Sequence, residues 1–273
     1  MKALKIVLQM ANSGGSQVFL GAPWVPFTIK IAPDGWRERI ALEWLAISPH
    51  YFYRTPANKD LGHLEFLRSE SKRNARSRHL LVEHIVRPHL NPDFTVLDYG
   101  CGPGFLAATA STHARRVIAC DISKGVLECA KALNGRPNLE YLAVPPTGRL
   151  DIEDQSVDLV YSFAVFQHIE DAVFKKILDE LGRVMKNGAQ ALCHVVLVGA
   201  SGWRTEVDWR EDHSLAGRAK WIAGGHSFAR DPVGVRVIVE TAGFCEIAIE
   251  SIRVPTLDDD IAHQHLLRFK KHR

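Results

Sequence analysis

From about residue 92 onward the sequence predicts an α/β fold, in which helices cover both faces of a parallel sheet. Two observations carry this expectation. Apolar runs of strand length alternate with amphipathic stretches of helix length, and the first run, TVLDYGCGPGF at 95–105, ends in glycines at every second position. Strands are expected at 96–99, 117–121, 139–144, 157–163 and 189–197, with helices between them at 105–113, 124–133 and 172–185. In the third helix Val173, Phe174, Ile177, Leu178, Leu181 and Met185 recur at helical spacing, and Gly188 is placed to end it. Asp231 and Pro232 read as an N-cap and first-turn proline for a helix ending near Gly243, although Val233, Val235, Val237 and Val239 also alternate like a strand. Segments 244–252 and 264–269 are the last strands, close enough to pair as a hairpin.

The first 94 residues read differently. Gly14 and Gly15 separate LKIVLQ from SQVFL, and FTIKIA alternates, which predicts a small antiparallel β element; helical patterns follow at 36–47 and 76–90. We therefore divide the chain into an N-terminal extension at 1–75, a possible lid, and a main domain at 76–273. An insertion at 199–226 carries Trp203, Trp209 and Trp221 among charges, and a connection this long inside an α/β domain suits a lid or binding element.

Composition excludes several classes. Of the 273 residues 46% are hydrophobic and 24% charged, as in a globular enzyme, and a net charge of +3 gives no footprint for nucleic acid. The basic run at 68–78 reads as a solvated helix face. Cys101, Cys120, Cys129, Cys193 and Cys245 show neither disulfide nor zinc spacing, so a reducing cytoplasm fits, and no apolar stretch is long enough to insert in a membrane. No metal site is expected; DDDIAHQH at 258–265 reads as a solvated turn.

Glycines directly after a strand let the backbone turn sharply and let a ligand approach without meeting a Cβ. No Gly-Lys-Ser/Thr follows, so a Walker loop is excluded. A dinucleotide fingerprint wants G-x-G-x-x-G and a distant acid. Asp121 supplies that acid, but Phe105 stands where the third glycine belongs. Asp98 separates the two readings, because a carboxylate at the loop's mouth repels a diphosphate and attracts a cation. The ligand should carry a ribose and positive charge.

VLDYGCGPG at 96–104 and VIACDIS at 117–123, followed in order by SVDLVYSFAVFQHI, LDELGRVMKNGAQALCHVV and ETAGFCEI, resemble the class I S-adenosylmethionine-dependent methyltransferases, types 11 and 25 among them. The resemblance covers about residues 76–271 and implies a Rossmann-like sheet of seven mostly parallel strands, the last antiparallel. It implies S-adenosylmethionine as cofactor and S-adenosylhomocysteine as product. Carried over, Gly100, Cys101, Gly102, Gly104 and Phe105 would form the loop at the methionine part, and Asp98 would hold the amino group. Asp121 would bind the ribose, Ile122 and Val144 would flank the adenine, and the Phe163 carbonyl would face the ammonium. One departure is AVPPTGRLD after the third strand, where Val144, Pro145 and Pro146 offer no side-chain acceptor for the adenine amine; Asp151 or a backbone carbonyl would have to substitute.

Methyl transfer needs a general base only when the acceptor must lose a proton. His168, after the fourth strand, is the candidate; His194 reads as a core histidine, and His213 and His226 as residues of the insertion surface. Tyr51, Tyr53 and Arg54 read either as lid or as core. The Asp/Asn-Pro-Pro-aromatic tetrad of amino-methylating nucleic-acid enzymes is missing, and no Pro-Cys dipeptide occurs. A small-molecule acceptor follows, aromatic or sugar-bearing if the insertion's tryptophans and Phe228 wall its pocket, with O-methylation favoured over N-methylation. A homodimer is open to such a chain. The competing classes are a non-catalytic S-adenosylmethionine-binding protein and an NAD-dependent oxidoreductase on a similar sheet.

Overall fold

A computed structural model describes residues 24–47, 51–200, 202–222, 225–252, 254 and 264–272. Seven strands form one sheet: β1 (Thr95–Tyr99), β2 (Arg116–Asp121), β3 (Leu139–Ala143), β4 (Val157–Ser162), β5 (Met185–Val196), β6 (Phe244–Ser251) and β7 (Gln264–Lys271). Their order is β3-β2-β1-β4-β5-β7-β6. The first five are parallel, and β7 runs antiparallel between β5 and β6. All five residues of β1 are buried, as a central strand covered on both faces must be, and this is why its run is almost continuously apolar. Asp98 interrupts that run from inside the sheet.

The described helices are α1 (Trp24–Ile31), α2 (Arg37–Ala46), α3 (His63–Leu81), α4 (Phe105–Ala110), α5 (Lys124–Asn134), α6 (Asp171–Val184), α7 (Glu206–Glu211), α8 (Leu215–Ile222) and α9 (Pro232–Thr241). One face of the sheet packs Leu97, Val160, Ala191 and Cys193 against α6 and α9. In α6 the buried Phe174, Leu178 and Leu181 fall at i, i+4 and i+7, the stripe its sequence predicts. The valines of α9 settle as a helix: Val235 and Val239 are buried one turn apart, Val233 and Val237 are exposed, and the Asp231 carboxylate accepts from the Gly234 N–H at 2.7 Å. The opposite face packs Val96, Val117, Tyr161 and Leu192 against the end of α3, the π turn at Val82–Val86 and α4.

Three expectations need correction. FTIKIA is not a strand but the body of α1, because Val25 and Ile29, four residues apart, are the pair that packs on α2 and α5; Phe27 and Ile31 point outward. The helix expected at 76–90 starts at His63 and runs as α3 through residue 75, the expected domain boundary. Gly188 does not end α6, which stops at Val184; it lies within β5 at φ 77°, where the pairing with β4 shifts register. LKIVLQ, SQVFL and residues 258–263 of the acidic segment lie outside the described residues. Within the basic run, Arg68, Lys72 and Arg76 are solvated as expected, whereas Glu70 is buried and forms an ion pair with Arg73 at 2.9 Å.

Candidate functional site

The glycine loop leaves β1 across the end of β2. Gly100, Gly102 and Gly104 have φ values of 78°, 52° and 78°, a region that costs any residue with a Cβ, so all three glycines are demanded by the path itself. At two of them the missing side chain makes room for protein rather than ligand. A Cβ on Gly100 would lie 2.2 Å from Val165 Cγ2, and one on Gly104 would lie 2.3 Å from the Tyr141 hydroxyl. Gly102 faces the Tyr51 hydroxyl at 3.6 Å, so the segment before α3 reaches over the loop. That segment is anchored, since the Tyr51 carbonyl accepts from Asn74 Nδ2 at 2.8 Å and from Arg73 at 3.3 Å.

The N–H groups at 100, 101, 102 and 104 are already used. The N–H groups of Gly100 and Cys101 both donate to the Cys120 carbonyl at 2.8 and 2.9 Å, Gly102 donates to Asp121 Oδ2 at 3.0 Å, and Gly104 donates to the Cys101 carbonyl at 3.0 Å. Pro103 has no N–H, and its carbonyl accepts from Asn134. A diphosphate needs those amides. The loop is therefore unsuited to one.

Two carboxylates flank this loop. Asp98 is 0% exposed, and neither of its oxygens has a hydrogen-bond partner among the described residues. Burial pushes its pKa up to about 8; the facing Tyr161 hydroxyl lowers it somewhat, and Asp121 raises it. A buried carboxyl with unused lone pairs fits a cationic partner. Asp121, at the end of β2, accepts from Ser123 N–H at 2.8 Å as well as from Gly102, and burial raises its pKa too. Beside it Ile122 is 78% exposed, an apolar side chain held in solvent where a flat ring could lie. Val144, partly buried, donates its N–H to the Asp121 carbonyl at 2.9 Å and forms the neighbouring edge. Asp151 stands exposed between Leu150 and Ile152, whose carbonyls Arg183 holds. Cys101 and Phe105 are buried parts of the turn, and Phe163 is buried just past β4.

On the acceptor side, the turn after β4 carries Phe163, Ala164 and a 3₁₀ turn at Phe166–His168. His168 is exposed, with Nδ1 3.4 Å from the His226 carbonyl. A carbonyl only accepts, so a proton on Nδ1 places the lone pair of a neutral ring on Nε2. The insertion folds down onto this turn. Phe228 N–H donates to the Gln167 carbonyl at 2.7 Å, and His226 stacks between Trp221 and Phe228 with ring centroids 4.5 and 5.0 Å away. Trp209 does not wall an open pocket: it is buried between Arg204 and Lys220 and donates to the Ser227 carbonyl. Phe228 is buried as well. His213 is exposed.

Sequence reasoning missed Tyr161, Tyr141, Val165 and Arg230. The first three stand at ordinary core positions, and nothing in their spacing marks them. Arg230 is 4% exposed and donates to the carbonyls of Phe166, at 2.6 Å, and Ile169, while pairing with Asp171 at 2.7 Å. Nor does the sequence show that the His194 ring accepts a backbone hydrogen bond. Among the described residues no helix is long and apolar enough to cross a membrane, and no cluster of His, Cys, Asp and Glu could hold a metal.

Residues 97–193 match the family model described as a methyltransferase domain. The chain is 32% identical over 96 residues to N-demethylindolmycin N-methyltransferase of Streptomyces griseus, and 31% identical over 105 residues to malonyl-[acyl-carrier protein] O-methyltransferase of Hamiltonella defensa. These matches take in 34% and 38% of this chain and only 40% and 39% of those relatives. Among solved structures, it resembles a methyltransferase in complex with the Haloferax volcanii Trm112 methyltransferase activator, at TM-score 0.56 and 19% identity, over 75% of this chain and 95% of that one. At that identity the likeness is one of fold.

Proposed function

We propose that this chain is a class I S-adenosylmethionine-dependent methyltransferase, transferring a methyl group to a small-molecule acceptor by O-methylation in the first instance and N-methylation in the second. One observation carries the cofactor reading: a fully buried, unpartnered Asp98 carboxyl beneath a glycine loop whose amides are already engaged. That pairing of features suits a cationic amino-acid nucleoside and excludes a diphosphate from the same place. The sulfonium supplies the transferable methyl carbon when bound. What remains for the protein is alignment and electrostatics.

In this reading Asp98 takes the amino group and Asp121 accepts from the ribose hydroxyls, with lone pairs left after its two backbone contacts. Ile122 and Val144 bracket the adenine, and the Gly100 to Phe105 turn closes on the methionine part. His168 takes the acceptor's proton through Nε2, with Nδ1 held toward the His226 carbonyl. Support for a small acceptor comes from the printed name of N-demethylindolmycin N-methyltransferase and from the folded insertion, whose His226, stacked on Trp221, meets the β4 turn at His168. An aromatic or sugar-bearing acceptor and a homodimer belong to the same proposal.

Calorimetry with S-adenosylhomocysteine and NAD side by side tests the reading: the first should bind and the second should not. Asp121→Ala is expected to weaken S-adenosylhomocysteine binding by about 1–3 kcal/mol through the lost charged acceptor, and an unchanged dissociation constant counts against its role. For His168→Ala, turnover of an alcohol acceptor should fall about 10²-fold with cofactor affinity intact. A loss of only a few-fold returns His168 to a shaping role.

A further inference from the structure

Resting on that cofactor reading, we propose that His194 is a positioning residue that aims the Phe163 carbonyl at the amino group of the bound donor. β4 lies between β1 and β5, and its last residue, Ser162, pairs with Cys193 of β5. His194 follows Cys193, is 1% exposed, and accepts on Nδ1 from the Ala164 N–H at 3.1 Å. That N–H belongs to the same planar unit as the Phe163 carbonyl. In a trans peptide the two groups point in opposite directions, and this chain has no cis bond among the described residues. Holding the N–H therefore turns the carbonyl away from His194. The strand on the other side of β4 is β1, which carries Asp98 and leads into the glycine loop.

The peptide would not take this direction unaided. Ala164 sits at φ 60°, a left-handed conformation that is strained for a residue with a Cβ. The hydrogen bond from its N–H offsets that strain and selects one orientation of the plane. The same bond fixes the imidazole's tautomer, since a neutral ring accepting on Nδ1 carries its proton on Nε2, which is buried without a partner among the described residues. Burial, with His168 and His265 nearby, pushes the ring's pKa down to about 3. It therefore stays an acceptor at any working pH and has no lone pair to serve as a base.

The proposal predicts which part of a ligand feels the histidine. S-adenosylhomocysteine carries the amino group, whereas 5′-methylthioadenosine keeps the nucleoside and thioether and lacks it. Isothermal titration of the full chain should show His194→Phe weakening S-adenosylhomocysteine about tenfold while 5′-methylthioadenosine changes by less than about twofold. His194→Gln, which offers an amide oxygen to the same N–H, should recover most of the loss. If the phenylalanine ring is not accommodated, His194→Leu makes the same comparison. Equal weakening of both ligands, or of neither, overturns the assignment. A wild-type chain that binds neither ligand overturns the cofactor reading and this inference with it.

Discussion

Donor binding at pH 7 should expel close to one proton from the wild-type protein and none from Asp98→Asn. In the empty site, burial holds the Asp98 carboxyl near pKa 8, so at neutral pH it is mostly protonated. A cation placed against it favours the carboxylate, and the displaced proton leaves with the heat of buffer ionisation. Affinity should accordingly rise about tenfold per pH unit up to about pH 8 and then level off. The groups facing this carboxyl are the Tyr161 hydroxyl, Asp121 and the Cys101 thiol, and burial raises the pKa of all three as well. Stability of the empty protein should move the other way. The folded state keeps a proton that an unfolded aspartate loses near pH 4, so folding stability falls as pH rises from about 4 to 8. Asp98→Asn should flatten that slope and stabilise the empty protein at pH 8, while weakening S-adenosylhomocysteine binding there on the order of 10²-fold. Titrations in two buffers of different ionisation enthalpy read the proton directly. Identical heats in both would remove Asp98 from the cofactor's amino group.

Asp98 also shows what the sequence could deliver. A carboxylate two residues before a run of alternating glycines is visible as letters; that it lies fully buried, with the Tyr161 hydroxyl facing it and no hydrogen-bond partner among the described residues, is visible only in the structure. The sheet was legible because strands covered on both faces are mostly apolar, as β1, β2 and β4 are apart from Asp98 in β1, the end residues Arg116 and Asp121 of β2, and Asp158 and Ser162 in β4. FTIKIA failed for a physical reason. Alternation over six residues fits a strand and a short helix equally well, and the choice fell to the Val25 and Ile29 contacts with α2 and with α5, about a hundred residues further along the chain. The glycine loop was read correctly for its turn and incorrectly for its neighbours: positive φ explains all three glycines, but Val165 and Tyr141 fill the spaces assigned to a ligand at Gly100 and Gly104. The histidines divide likewise. His194 lies in the core as its strand position suggests, yet its use depends on a peptide 30 residues earlier.

Arg230→Met is expected to cost about 2–4 kcal/mol of stability. The guanidinium lies buried over the Phe174 ring, 4.8 Å from its centroid, and donates into the turn after β4 at the carbonyls of Phe166 and Ile169. Methionine replaces the volume, leaves the Ile169 carbonyl without a donor at a cost of about 1–3 kcal/mol, and leaves the Phe166 carbonyl with only the Ile169 N–H at 3.3 Å. The ion pair with Asp171 adds little, because that carboxylate is half exposed and water can take over. Asp171→Asn should therefore lower stability by less than about 1 kcal/mol, which separates the two contributions. Arg230 further joins the insertion to the sheet, since its N–H donates to the Val196 carbonyl and its carbonyl accepts from Val198. The turn it braces carries His168, while the two acids proposed for the cofactor, Asp98 and Asp121, sit on β1 and β2. Arg230→Met at a temperature where it remains folded should thus lose turnover much more than S-adenosylhomocysteine affinity. Arg230→Lys, able to serve one carbonyl but not both, should fall between. A melting temperature within about a degree of wild type would mean that water satisfies the turn, and the arginine would then be an ornament of the fold rather than its brace.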